Sequence, residues 1–185
     1  MCVFNMILSG NSLKKAVENR IKIEPFRAKN LASDSYDVTL GNEFLRLKAE
    51  ETPILDPKKI DVVGERIFGG DFILQPHQFV LARTEEWVNL PPDIMAMVSG
   101  KSSLARLGIQ VESAALLHPG HRGYVVLEIC NFNSVPFKLT AGLRIAQLIF
   151  FNVEASGEYH KLDISTFKTQ KKIELPNDLK FSEKV

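Results

Sequence analysis

The sequence predicts an all-β protein, either a barrel or a sandwich of short strands. Two observations favour this class. Runs of apolar and β-branched residues recur along the middle of the chain, and turn residues separate them at regular spacing. Only two stretches have a helical pattern, "SGNSLKKAVENRIKI" near the start and "KSSLARLG" in the middle. The 185 residues suffice for one domain with a proper core.

The first elements are a short helix and a strand. Ser9, Asn11 and Ser12 offer caps to a helix whose apolar stripe includes Leu13, Ala16 and Val17. In "SDSYDVTLGNEFLRLK", apolar and polar residues alternate from Tyr36 to Leu40, which predicts a half-buried strand. Gly41 and Asn42 are then predicted to turn the chain.

The later strands follow at short intervals. Two are predicted around Gln75-Pro76-His77, and a third is predicted to end at Gly100. "KSSLARLG" is too short for more than a helical turn or two, closed by Gly108. The remaining predicted strands are "GYVVLEICNF", "VPFKLTAG" and "LRIAQLIFFNV".

The overall composition is that of a soluble globular protein. Hydrophobic residues make up 45% and the formal net charge is +1, so no global field points to nucleic acid or to a membrane. The two cysteines form no CxxC pair, and we expect a reducing cytoplasm. We also expect neither a signal peptide nor a transmembrane helix.

One strand carries a carboxylate where apolar residues are expected. In "GYVVLEICNF", Glu128 stands among residues that favour a dry interior. The period of two places Tyr124, Val126, Glu128 and Cys130 on one face and directs the alternate residues to the core. A buried carboxylate is costly unless a partner satisfies it. Glu128 therefore has either a functional role or a structural one, as a residue paired with Arg106 or Arg122.

The stretch "SGKSSLARLG" has the residue types of a phosphate site. Ser102 and Ser103 open a helical turn, and Lys101 and Arg106 flank it. Free backbone N–H groups, hydroxyls and cations together suit a phosphate group. Taken alone, the stretch fits a capped surface helix with solvated charges better.

Taken together, these stretches resemble the dCTP deaminase family of the dUTPase superfamily. The matching segments, in order, are "ILSGNSLKKAVENRIKIEP", "SYDVTLGNEF", "GKSSLARLG", "HPGHRGYVVLEICN" and "AGLRIAQLIFF". The resemblance implies a dUTPase-like distorted β-barrel or jelly roll with a short N-terminal helix and a flexible C-terminal arm. It also implies a homotrimer with active sites between subunits, and dTTP as a feedback inhibitor.

The resemblance also assigns roles to single residues. It makes Glu128 the catalytic acid/base, with Ser102 positioning the attacking water and Arg106 orienting the glutamate. Lys101 and Ser103 would contact the triphosphate, with Mg²⁺ bound through its oxygens. Gln147 would support the phosphate or sugar end, although a polar outward residue is nearly as good an interpretation. Zinc is not expected, because no H-x-E or P-C-x-x-C signature is present.

The C-terminal region completes the expected site. We expect a barrel domain over 1–153 and an arm or lid over 154–185 that covers the triphosphate. Within the arm, Tyr159 and Gln170 match the family's intervals, and Lys168 is expected to supply a charge. A solvated charged tail is the alternative.

Three features depart from the family's pattern. His118 replaces an Asp that activates water in dUTPases, and His121 replaces the aromatic residue that packs on the deoxyribose. The preceding loop leaves open whether Ala114 or Ala115 offers its backbone to the base.

From the resemblance and these departures together, we expect deamination of dCTP to dUTP and ammonia. The alternatives are a bifunctional enzyme that releases dUMP and a non-catalytic nucleotide-binding protein.

Overall fold

The computed structural model describes residues 6–52, 54–56, 60, 62–111, 114–154 and 169–176. Two α-helices lie in these ranges, α1 (Gly10–Asn19) and α2 (Ser102–Ala105). The strands in chain order are β1 (Lys22–Glu24), β2 (Tyr36–Leu47), β3 (Gly64–Phe68), β4 (Asp71–Leu74), β5 (Phe79–Asn89), β6 (Ile94–Gly100), β7 (Ile109–Gln110), β8 (Leu116–Leu117), β9 (Arg122–Asn131), β10 (Phe137–Thr140) and β11 (Arg144–Asn152). The predicted all-β class is confirmed.

Nine of the strands form one curled antiparallel sheet. Its main path runs β7-β9-β5-β2-β11-β6-β8, with β1 added beside β5 and β3 beside β2. β4 and β10 pair separately. One large core lies inside the curl, and its bulkiest fully buried side chains come from several strands and from α1: Leu13, Tyr36, Leu40, Phe44, Leu74, Ile94, Leu127, Leu139, Ile145 and Phe150.

The predicted helical and strand segments are found close to their expected positions. α1 begins after Ser9, whose backbone N–H donates to the Ser12 hydroxyl at 3.0 Å, and it buries Leu13 and Ala16. The predicted break at Gln75-Pro76-His77 separates β4 from β5. β6 ends at Gly100 as expected. These elements could be located because their caps and turn residues are local signals.

The prediction for β2 was wrong in two respects. Gly41 and Asn42 do not turn the chain, because β2 continues through them to Leu47. A Cβ at Gly41 would lie 2.8 Å from the carbonyl oxygen of Arg83. The pairing with β5 shifts register between Leu40 and Phe44, so this glycine lets two strands approach closely at an irregularity. β2 is also buried on both faces from Tyr36 to Gly41, not half-buried.

A C-terminal segment packs against the outside of the sheet. Gln170 pairs with Gly123 in β9, and Tyr124 donates its backbone N–H to the Gln170 carbonyl at 2.8 Å. Ile173 is fully buried in a small cluster with Leu45 and Leu81. The polar composition of the tail did not predict this anchor.

Candidate functional site

β9 has the predicted alternation of buried and partly exposed residues. Val125, Leu127 and Ile129 are buried to 1% exposure or less, whereas Tyr124, Val126, Glu128 and Cys130 are partly exposed. The carboxylate of Glu128 therefore lies on the outer face of the sheet, where a ligand can reach it.

The loop between β7 and β8 contacts this carboxylate. The backbone N–H of Ala114 donates to Glu128 Oε2 at 3.2 Å. The next residue, Ala115, accepts a hydrogen bond at its carbonyl oxygen from Val98 at 2.7 Å. The peptide groups of this loop thus join the Glu128 carboxylate to β6. Ala114 contacts the glutamate, whereas Ala115 contacts the strand.

Two apolar side chains lie beside Glu128 on the same face. Leu81 of β5 lies directly opposite it in the ladder, and Val126 is its neighbour at the period of two. Both pack in the small cluster around Ile173. The C-terminal segment therefore covers part of the face that carries Glu128.

α2 presents its hydroxyls and cation to the outside. Ser102, Ser103 and Arg106 are exposed, whereas Leu104 is 6% exposed and holds the turn against the core. The turn continues directly into β7, where Gln110 pairs with Cys130, two residues from Glu128. One short connection therefore links the two predicted halves of the site.

Lys101 belongs to a polar cluster that contains a residue missed by sequence reasoning. Its Nζ lies 2.7 and 2.8 Å from the two carboxylate oxygens of Asp37, which is 6% exposed. Arg144 Nη1 contacts the same carboxylate at 3.3 Å. Gln147 lies opposite Asp37 in the β2–β11 ladder and opposite Ser99 in the β6–β11 ladder. The sequence signal that singled out Glu128 also applies to Asp37, because Asp37 is a carboxylate in a predicted strand as well.

The two histidines lie on the loop before β9. His118 is partly exposed, and its carbonyl oxygen accepts a hydrogen bond from the backbone of His121 at 3.0 Å. Burial lowers the pKa of His121 to about 4, a hydrogen bond with the Gly123 backbone partly opposes this, and His118 adds to the lowering. His121 is therefore neutral at physiological pH.

Gln170 lies next to this histidine loop. Its backbone N–H donates to the Arg122 carbonyl at 3.2 Å. Within the described ranges, neither Gln170 Oε1 nor His121 Nε2 has a hydrogen-bond partner, and both atoms are buried. The structure thus brings two predicted substrate-binding residues together. Tyr159 and Lys168 lie outside the described residues.

Comparison with known proteins identifies the family of this chain. A protein-family model described as "dCTP deaminase-like" matches residues 7–153. The chain is 38% identical over 158 residues to a "dCTP deaminase, dUMP-forming" of Persephonella marina, covering 83% of this chain and 87% of the relative. It is 40% identical over 177 residues to a "dCTP deaminase, dUMP-forming" of Dictyoglomus turgidum, covering 90% and 91%.

Two solved structures show the same fold. The 2′-deoxycytidine 5′-triphosphate deaminase of Agrobacterium tumefaciens has a TM-score of 0.62 at 20% identity, covering 79% of this chain. This chain spans 48% of the length of that structure. A mutant dUTPase from phage phi11 of S. aureus has a TM-score of 0.51 at 11% identity, covering 75% of this chain and 94% of the phage chain. The fold is thus dUTPase-like, and the chain belongs to the dCTP deaminase-like family.

The described residues contain neither a cluster of metal-binding side chains nor a membrane-spanning helix. No group of three or more His, Cys, Asp or Glu side chains in these ranges could hold a metal ion. No helix in the same part of the chain is long and apolar enough to cross a membrane.

Proposed function

We propose that this protein deaminates dCTP to dUTP and ammonia. The observation that carries the proposal is Glu128, a carboxylate on a ligand-accessible face that accepts an N–H bond from the Ala114 loop. Membership of the dCTP deaminase-like family supports it. A carboxylate that a ligand can reach is suited to take a proton from water and to return it during the reaction.

Glu128 would transfer the protons of the reaction. It takes a proton from the attacking water as the new C–O bond forms at C4 of the cytosine ring, and it delivers that proton to N3. The second proton of the water then passes to the amino group, which leaves as ammonia when the C–N bond breaks. Ser102 would position the water, and Arg106 would orient the glutamate.

The cationic side chains near α2 fit the triphosphate. Asp37 is buried and already held by Lys101 and Arg144, so this carboxylate is not presented to a metal ion. Mg²⁺ would therefore arrive with the substrate and supply charge neutralisation at the phosphate oxygens. Lys101, Ser103 and Gln147 would bind the phosphate and sugar end. The neutral His121 and Gln170 would face the sugar, and Tyr159 and Lys168 would complete the lid formed by 154–185.

Glu128→Gln tests the proposal directly. Glutamine keeps the shape and can accept the Ala114 hydrogen bond, but it cannot take a proton from water. We expect dCTP deamination to fall by roughly 10²–10⁴-fold, measured as ammonia release in the presence of Mg²⁺. Glu18→Gln, at an exposed position on α1, is the matched control and should keep full activity. Near wild-type deamination by Glu128→Gln would show that the assignment is wrong.

A second candidate is a bifunctional enzyme that continues to dUMP. The names of the Persephonella and Dictyoglomus relatives favour it, since both are "dUMP-forming". The residue chemistry favours dUTP, because His118 stands ten residues before Glu128, where dUTPase-like sites place a carboxylate. A displaced catalytic group can cost about 10²-fold for an error of about 1 Å.

The products distinguish these candidates. With dCTP and Mg²⁺, we expect dUTP and ammonia to accumulate, and dUTP supplied directly should persist. Chromatography of the nucleotides measures both. Rapid formation of dUMP and diphosphate by the wild type, lost in His118→Ala while deamination continues, would establish the bifunctional activity.

The oligomeric state and regulation of the protein are inferred from the family resemblance, and its location is inferred from the cysteine pattern. We infer a homotrimer with shared active sites, a cytoplasmic location and inhibition by dTTP. The structure contributes one supporting observation for assembly, which is that several large apolar side chains are exposed, among them Leu107, Leu116, Phe132 and Val135.

A further inference from the structure

A second cationic pocket lies beside the start of β11. Its volume is about 500 Å³, within the usual range of small-molecule sites. Its lining residues are Arg27, Lys29, Asn30, Thr39, Glu85, Gly142, Leu143 and Arg144. Three of these residues carry a positive charge and one carries a negative charge, while the carboxylates of Glu86 and Asp37 contact Arg27 and Arg144 from outside the lining. None of the residues assigned above to dCTP lines this pocket.

A buried amide group in the pocket lacks a partner. Asn30 is 2% exposed, and its position is fixed by a 3-10 turn in which its backbone N–H donates to the Arg27 carbonyl at 2.9 Å. No residue in the described ranges accepts a hydrogen bond from Asn30 Nδ2. Buried polar atoms almost always have a partner, and an exception calls for a bound ion, water or ligand. An amide N–H donor requires an acceptor, such as a phosphate oxygen.

The carboxylates near the pocket are already occupied. Glu86 is fully buried and accepts hydrogen bonds from the Thr39 backbone at 2.8 Å and the Thr39 hydroxyl at 2.7 Å. Burial raises the pKa of this carboxyl group, and the hydrogen bonds from Thr39 partly oppose the shift. Arg27 contacts Glu85 at 2.7 Å and Glu86 at 3.2 Å. The acidic groups are therefore directed toward Arg27 and Thr39.

The other two cations remain able to bind an anion. Lys29 is exposed. The side chain of Arg144 is 57% exposed, and its contact with Asp37 is the longer of that carboxylate's two ion pairs. A guanidinium has five N–H donors, so one such contact leaves several for a ligand. Lys29, Arg144 and Asn30 Nδ2 together match the oxygens of a phosphate group.

We propose that this pocket binds a phosphate-bearing anion, at a site separate from the one for the dCTP triphosphate. The separation rests on the lining, because Lys101, Ser102 and Ser103 are absent from it. Binding here does not depend on deamination.

Isothermal titration calorimetry of the full chain tests the site with three probes. Inorganic phosphate, pyrophosphate and ATP distinguish a free anion from the phosphates of a nucleotide. We expect saturable binding of at least one probe, weakened about tenfold in Lys29→Gln through loss of a charged hydrogen bond. Lys14→Gln, an exposed position on α1, is the matched control and should bind like the wild type.

Two further variants test whether the anion binds in this pocket or at the substrate site. Ser103→Ala should keep this binding, and loss of binding in that variant would assign the anion to the substrate site and overturn the proposal. Asn30→Asp should weaken binding as well, since it replaces a donor with a negative charge. Absence of saturable binding would mean that water or a neighbouring subunit satisfies Asn30. Equal affinity of the wild type and Lys29→Gln would also refute the site.

Discussion

At the scale of single residues, the informative signal is a carboxylate in an apolar strand. This signal singles out Glu128, and the structure places it on the partly exposed face of β9. Asp37 carries the same signal, yet its place in an alternating pattern made it resemble an ordinary solvent-facing residue. Its buried pairing with Lys101 depends on β2, β6 and β11 lying side by side, which no local pattern predicts.

His121 provides a prediction at this scale. Its folded pKa of about 4 lies below the ordinary value of 6.5, so the unfolded chain takes up a proton first as the pH falls. The stability present above pH 6.5 is therefore lost between about 6.5 and 4. At pH 5 the loss should be about 2 kcal/mol.

Urea unfolding at pH 7.5 and pH 5 measures this loss. His121→Gln cannot titrate, so its free energy of unfolding should fall by about 2 kcal/mol less than that of the wild type over the same interval. The two proteins share every other ionisable group, which makes the difference specific. Parallel pH dependences in the two proteins would contradict a buried neutral imidazole.

At the scale of elements, short strands were predictable and their surroundings were not. The alternation in β9 and the turn residues around His77 are local, and both predictions hold. Gly41 has the sequence signature of a turn, but it serves the close approach of β2 to β5. Ile173 lies in a polar tail, and only the tertiary cluster with Leu45 and Leu81 explains its burial.

The contact between the C-terminal segment and β9 gives the element-scale prediction. A Cβ on Gly123 would lie 2.6 Å from the Gln170 backbone nitrogen, and the φ of +150° disfavours other residues. Gly123→Ala should therefore displace the segment and cost at least about 1 kcal/mol of stability. Gly70→Ala is the matched control, since its Cβ would meet nothing within 4 Å.

Hydrogen exchange reports on this displacement. The Tyr124 amide, bonded to the Gln170 carbonyl at 2.8 Å, should lose protection in Gly123→Ala and keep it in Gly70→Ala. Unchanged protection of Tyr124 would show that the pairing tolerates the methyl group.

At the scale of the whole molecule, the proposed trimer gives a prediction about how the two parts of the site are assembled. We expect light scattering to give the mass of three chains. If Glu128 and Ser102 act from different subunits, two inactive variants can repair each other. Refolding Glu128→Gln with Ser102→Ala in equal amounts should then restore about a quarter of wild-type activity, the random share of sites with both native residues.

This experiment has two clear contrary outcomes. An active monomer would refute the shared site. Trimers that stay inactive after mixing would place both residues in one subunit. The sequence predicted the fold class because strand patterns are local, whereas the subunit arrangement rests on family resemblance and on the exposed apolar side chains.

The ends of the large sheet bear on how this protein behaves at high concentration. The main path begins with β7 and finishes with β8, and each of these strands has only two residues. A long unpaired edge is a template on which further chains can add and grow into fibrils. β7 and β8 offer little backbone to an incoming strand, so these two strands are poor templates for amyloid-like growth.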